Sequence, residues 1–298
     1  MNKRDKQKPL GAWRPNKRKK ENMQHHSTRI NRILPAGGIT CAAAALALLL
    51  TSPLPAVADE DNTTNPDGIK PPVVETRPYG MTYGEWSAKW WQWTMAFPVT
   101  ADPASNTAPP ESNQSGKVWF LATAHGSATT GGSATLTRSI TVPKGKALFF
   151  PLLTVIDDNT GCPTYNNPLL TADQLAAQAA DIFTAVSQTT CSIDGVPVPG
   201  LADPQHTLYR VQSPAFSYTV ASHNNLLAAV FDGPCIPDGI TVTPAVSDGV
   251  FLMVAPLSAG QHTIHFVGVV GPVATPFFFK DITYNITVNP GRGDKERD

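Results

Sequence analysis

The chain has 298 residues, with 23 Lys and Arg against 23 Asp and Glu and four cysteines, so its formal net charge is zero. The balance hides a segregation: Met1 to Arg32 holds eleven of the basic residues against Asp5 and Glu21 alone. Without residues 1–58 the remainder keeps 12 basic and 21 acidic residues, a net charge of about −9 that repels phosphate backbones and anionic lipid and so disfavours nucleic acid and membrane surfaces as partners.

The basic stretch runs into twelve apolar residues, Ile39 to Leu50, then Ser52-Pro53-Leu54-Pro55 and the small-residue site Ala56-Val57-Ala58. Basic region, apolar core and A-x-A site together read as a secretory signal peptide cut after Ala58. The apolar core is shorter than the ~20 residues that span a bilayer. Met23 offers an internal start that leaves a leader of conventional length, and Cys41 lacks the preceding leucine of a lipobox. The expected location is secreted or periplasmic.

Residues 59–78 are rich in Asp, Asn, Thr and Pro and read as a flexible leader, and residues 290–298 as a disordered tail. Between them, 79–289 is expected to be one domain.

Its first element is a helix opened by a Thr82/Glu85 capping box and closed by Pro98. Trp86, Trp90, Trp93 and Phe97 fall on one stripe of this helix. Leaving four such rings in water forfeits about 6–12 kcal/mol, so the stripe must be covered. Glu85 and Lys89 have the favourable i,i+4 order. Trp91 lies off the stripe, and two readings stay open for it: core, or an exposed platform for a sugar ring or protein partner. A second helix starts at Thr171 with Gln174 as its capping box and presents Leu175, Ala179, Ile182 and Val186.

Ten strands are predicted: 117–122, 134–142, 147–153, 191–196, 207–211, 216–220, 226–231, 249–255, 261–269 and 277–288. Within the last two, residues 262–266 and 282–288 alternate strictly in polarity, one face buried and one wet. The fold class is mainly β, a sandwich or jelly-roll-like domain carrying a Trp-rich N-terminal helix and one inserted amphipathic helix.

Three cysteines follow Ala58. In an oxidising compartment two should pair, and the loop-like surroundings of Cys162 and Cys235 favour those two over Cys191. Asp157-Asp158-Asn159, read as a loop after an apolar strand, suits a hard cation such as Ca²⁺, with a solvated turn as the plainer reading. His262 and His265, three apart in a strand, point to opposite faces and cannot chelate together. No G-x-S-x-G elbow appears, Ser247-Asp248-Gly249 reads as a turn, and Glu is scarce.

Tyr83-Gly84-Glu85-Trp86-Ser87-Ala88-Lys89-Trp90-Trp91-Gln92-Trp93, together with Val118-Trp119-Phe120-Leu121, the stretch Val142 to Pro151, Ile193-Asp194-Gly195-Val196-Pro197-Val198 and the stretch Val246 to Phe266, resembles a family of uncharacterised secreted bacterial proteins. The resemblance covers nearly all of 79–288 and implies a single exported domain, without an activity or a set of site residues. The function expected from the sequence is a non-catalytic binding or structural module, calcium-stabilised in one version, that recognises an extracellular glycan or an envelope protein. The alternative is a hydrolase of extracellular polymers using Asp157 and Asp158. A cleft of converging carboxylates would favour the second, and an exposed aromatic strip the first.

Overall fold

A computed structural model describes residues 77–105, 107–126, 131–160, 168–231 and 235–290. The expected signal peptide, the Met23 start, most of the leader, the tail and Cys162 lie outside the described residues. All described residues fall within one unit, Val57–Asp298.

The first helix, α1 (Tyr83–Met95), has the predicted capping box: the Thr82 hydroxyl accepts from Glu85 N and the Glu85 carboxylate accepts from Thr82 N at 2.7 Å. Glu85 pairs with Arg77 at 3.0 Å rather than with the expected Lys89. The covered surface is wider than the predicted stripe, since Tyr83, Trp91 and Met95 are buried along with Trp90 and Trp93. Each indole N–H of the helix has an acceptor: Trp86 on Pro78 O, Trp90 on Leu121 O, Trp91 on Thr154 Oγ1 and Trp93 on Ser112 O, at 2.8 to 3.3 Å. A bonded polar tip offsets the cost of burying an amphipathic ring this fully.

The described residues form two mixed sheets, and the chain is mainly β. The first sheet runs β1 (Val118–Phe120), β3 (Ala147–Asp158), β8 (Thr241–Val254), β6 (Arg210–Gln212), with β7 (Phe216–Thr219) also paired to β8. The second runs β2 (Gly132–Pro143), β10 (Phe278–Asn289), β9 (Gly260–Val270), β4 (Val186–Ile193), β5 (Val196–Pro197). Each contains one parallel pair, β1 with β3 and β2 with β10.

Strand β3 is buried along most of its length and separates two apolar clusters. On one face Ala147 and Phe149 pack with Phe251 and Met253 of β8 against the α1 aromatics. On the other, Leu148, Phe150 and Leu152 pack with Ile264 and Phe266 of β9 and Ile282, Tyr284 and Ile286 of β10, and the Phe150 and Phe266 rings lie 5.2 Å apart. A continuous apolar run is what a strand covered on both faces requires, and Ala147-Leu-Phe-Phe-Pro-Leu-Leu153 is such a run. Strand β10 keeps the predicted alternation, with Ile282, Tyr284, Ile286 and Val288 buried.

Several elements depart from expectation. Residues Leu226–Ala229 form a short helix, α3, capped by the Asn225 side chain, where a strand was predicted. Apolar Leu-Leu-Ala-Ala suits either state, and the Asn cap decides locally. The second helix, α2 (Ala172–Phe183), has its capping box but buries Leu175, Ala179 and Phe183, while Ile182 is exposed and Val186 opens β4. Strand β8 begins eight residues before the expected Gly249, so Ser247-Asp248-Gly249 is strand rather than turn. Among the described residues no helix is long and apolar enough to cross a membrane.

Candidate functional site: a cavity at the open end of the two sheets

Strand β1 pairs with β3 only at Ala147 to Phe149, after which the chain leaves as the extended segment 121–126. Between Pro151 and Leu153 the β3–β8 register slips by a bulge. Because strand side chains alternate faces, one extra residue exchanges them. Leu153 and Val155 therefore face the second sheet, while Thr154 and Ile156 turn to the α1 side, where Thr154 meets Trp91.

A cavity of about 400 Å³ opens at this end of the fold, within the ~300–1,000 Å³ typical of small-ligand sites. Its walls are mostly apolar and include Trp90, Trp91, Leu153, Ile156, Leu227 and Phe231. Ile182, Ala185 and Phe277 line it and are exposed, which places the mouth between the end of α2 and the β9–β10 turn.

The polar groups are few: Thr123, Asp158 and Lys280 are buried, His125 and Thr154 half-buried, and Asp181 exposed. Lys280 of β10 lies in the inward phase of that strand, only 1 % exposed. Its cross-strand neighbour on β9 is Gly268, and a Cβ there would stand 2.6 Å from Leu152 O and 3.2 Å from Lys280 Cε. The missing side chain makes room for both the bulge and the lysine. Nζ donates to Thr123 Oγ1 and, at 3.5 Å, to Pro151 O at the bulge, and it lies 5.7 Å from the Phe266 ring centroid. Burial, with the charge of Arg138 adding to it, holds the amine well below the usual lysine range. Arg138 of β2, also buried, donates to the carbonyls of Ala104 and Thr123 and lies over the Tyr284 ring.

On the adjoining wall the His125 Nε2 lies 3.2 Å from Asp102 Oδ2. Burial opposes the Asp102 charge, but His125, the Ala104 N–H and the Ser105 hydroxyl outweigh it and hold the carboxyl below its ordinary pKa. His125 thus has its ring anchored through one nitrogen while facing the cavity.

The residues singled out from the sequence are placed as follows. Trp91 is 3 % exposed and packs edge-on to Trp90 and Phe231, so it is no surface platform, yet it does line the cavity wall. Asp157 and Asp158 are not in a loop: they end β3, paired with Val246 and Ala245, and both are buried. Consecutive strand residues point to opposite faces, so the two carboxylates cannot flank one scissile bond or grip one cation side by side. Asp158 accepts from the Tyr218 hydroxyl at 2.7 Å. Burial pushes its pKa up to about 6 against that bond, and the neighbouring Asp157 charge adds to the rise. The Asn159 side chain is held at both ends by the backbone of Leu170. Among the described residues no three His, Cys, Asp or Glu converge as metal ligands.

Cys191 is a free, buried thiol on β4. The expected bond between Cys162 and Cys235 involves a residue outside the described ones. His262 and His265 have separate partners, Asp194 and Asp281, each at 2.7 Å, in keeping with opposite faces. Sequence reasoning missed Lys280, Arg138 and the Asp102–His125 pair. A signal for the first two was present: Lys280 shares the parity of Ile282, Tyr284 and Ile286, and Arg138 that of Ile140 and Val142, so each is a cation on a buried phase.

No family model matches the chain, and no curated protein matches it. One solved structure, titled "Solution Structure of Amebosin", aligns over 53 % of this chain and 100 % of its own, at 13 % identity and a TM-score of 0.18, too low a likeness to inform fold or function.

Proposed function

We propose that this is an exported binding module that encloses a small, largely apolar ligand in the cavity between the end of β3, α2 and the β9–β10 turn. The observation that supports it is the cavity itself: about 400 Å³ with aromatic and aliphatic walls, an exposed apolar mouth and a few buried polar groups. Enclosure by α1 rings favours a small molecule over the glycan strip or flat protein face that a surface Trp91 would have offered. Export rests on the basic, apolar and A-x-A pattern of residues 1–58. A Cys162–Cys235 bond accords with that compartment, and the free state of Cys191 supports the pairing.

Fluorescence titration with N-phenyl-1-naphthylamine, a neutral probe that brightens in apolar surroundings, tests the proposal. Saturable, one-to-one binding is expected, and Ala185→Trp, which places an indole in the mouth, should abolish it while the protein still unfolds cooperatively. Absence of saturation, or undiminished binding by Ala185→Trp, would count against the cavity as the site.

A further inference from the structure

We infer that the ligand of this cavity carries a carboxylate, and that Lys280 with Thr123 is its anchor; the inference rests on the cavity being the binding site. A cation taken out of water is ordinarily paired with an anion or neutralised. Lys280 is 1 % exposed, and its amine donates to a hydroxyl and a carbonyl; among the described residues no carboxylate forms an ion pair with its Nζ.

The groups around Lys280 favour a negative partner. Arg138, packed on the neighbouring strand, contributes a second positive charge and uses its N–H groups on the carbonyls of Ala104 and Thr123. The buried acid Asp102 is engaged by His125, Ala104 and Ser105. Asp158, the carboxyl of the far wall, lies seven residues along β3 from Pro151, roughly 20 Å of strand at about 3.3 Å per residue. Along the cavity lining, Lys280 and Thr123 stand together, whereas the carboxyls are Asp158, bonded to Tyr218, and Asp181, which is exposed on α2.

An amphipathic acid fits that arrangement. Its carboxylate would accept from Lys280 Nζ and from the Thr123 hydroxyl, which receives the lysine's hydrogen bond and retains a proton to donate. Its hydrocarbon part would lie along Leu153, Ile156 and Phe231 toward the mouth. The bulge at Pro151/Leu153 and the absent side chain of Gly268 are the two backbone features that seat the amine there.

Displacement of bound N-phenyl-1-naphthylamine by decanoate, methyl decanoate and decanol distinguishes this inference from the cavity reading beneath it. The acid should displace the probe at a concentration roughly tenfold or more below that of the ester and the alcohol, the factor expected of a charge-assisted hydrogen bond. That preference should vanish in Lys280→Met and in Lys280→Gln. Equal displacement by all three compounds in the wild type, or an acid preference that survives both substitutions, overturns the carboxylate assignment and leaves the cavity as an apolar site. If the naphthylamine does not bind at all, the cavity reading falls and the inference with it.

Discussion

The two sides of β3 use their large side chains differently. Toward α1, every aromatic ring has a neighbour and every helix indole an acceptor, with Phe149 and Phe251 stacked at 5.3 Å and the Trp90 N–H closed onto Leu121 O. At the open end beyond the bulge, some of the same residues line a cavity, together with the buried Lys280 and Asp158. The α1 side shows what the sequence advertises loudly, four tryptophans in eight residues, and this is scaffold. The unusual chemistry belongs to a single lysine in an ordinary-looking strand.

The sharpest way to break this contrast is at its structural pole. Trp90→Ala should destabilise the fold by about 3–5 kcal/mol, the range for truncating a large buried ring, with the loss of its bond to Leu121 O included. Urea unfolding followed by far-UV circular dichroism would show it. A loss below about 1 kcal/mol would mean that α1 is a peripheral appendage. Next in size is Gly268→Ala, whose added methyl would stand 2.6 Å from Leu152 O and 2.9 Å from Leu153 Cδ1. Such overpacking typically costs about 1–3 kcal/mol, and naphthylamine binding should weaken with it, because the bulge and Lys280 both move.

Lys280 itself supplies a pH signature. The folded state holds its amine well below the usual lysine range, so between that depressed value and the unfolded one near 10.4 the unfolded chain binds more protons. Stability should therefore rise with pH through this window, by at most about 1.4 kcal/mol per pH unit, and the rise should be absent in Lys280→Met. The free energy of unfolding at pH 8, 9 and 10 for both proteins checks the difference. The smallest effect concerns calcium: with Asp157 and Asp158 on opposite faces of a buried strand, EDTA should leave the melting midpoint in place. A midpoint that falls with EDTA and returns with Ca²⁺ would restore the cation reading.

Much of the scaffold was legible because it rests on short-range physics. The Thr82 and Thr171 capping boxes, the alternation of β10 from Lys280 to Asn289 and the unbroken apolar run of β3 each determine local structure within a few residues. The site was not, because it depends on register. Nothing local in Leu152-Leu153 announces a bulge, and the bulge decides that Thr154 faces Trp91 and that Pro151 O faces Lys280. The two readings of Trp91 stayed open because a helix wheel assumes one covered face, whereas α1 is covered on several. Asp157 and Asp158 looked like a loop because two carboxylates rarely end a buried strand. The parity of Lys280 and Arg138 was readable, and it marks such cations as candidates wherever an inward phase is otherwise apolar.

The central claim, that the open end of the sheets is a ligand site, is met most directly by locating an apolar molecule in it. Crystals of the protein soaked with 1-bromonaphthalene and measured at the bromine absorption edge should show one strong anomalous peak bounded by Trp91, Phe231 and Phe277, and the peak should be missing in Ala185→Trp. A bromine found only on the outer surface, or a cavity that stays empty at saturating probe, would contradict the account.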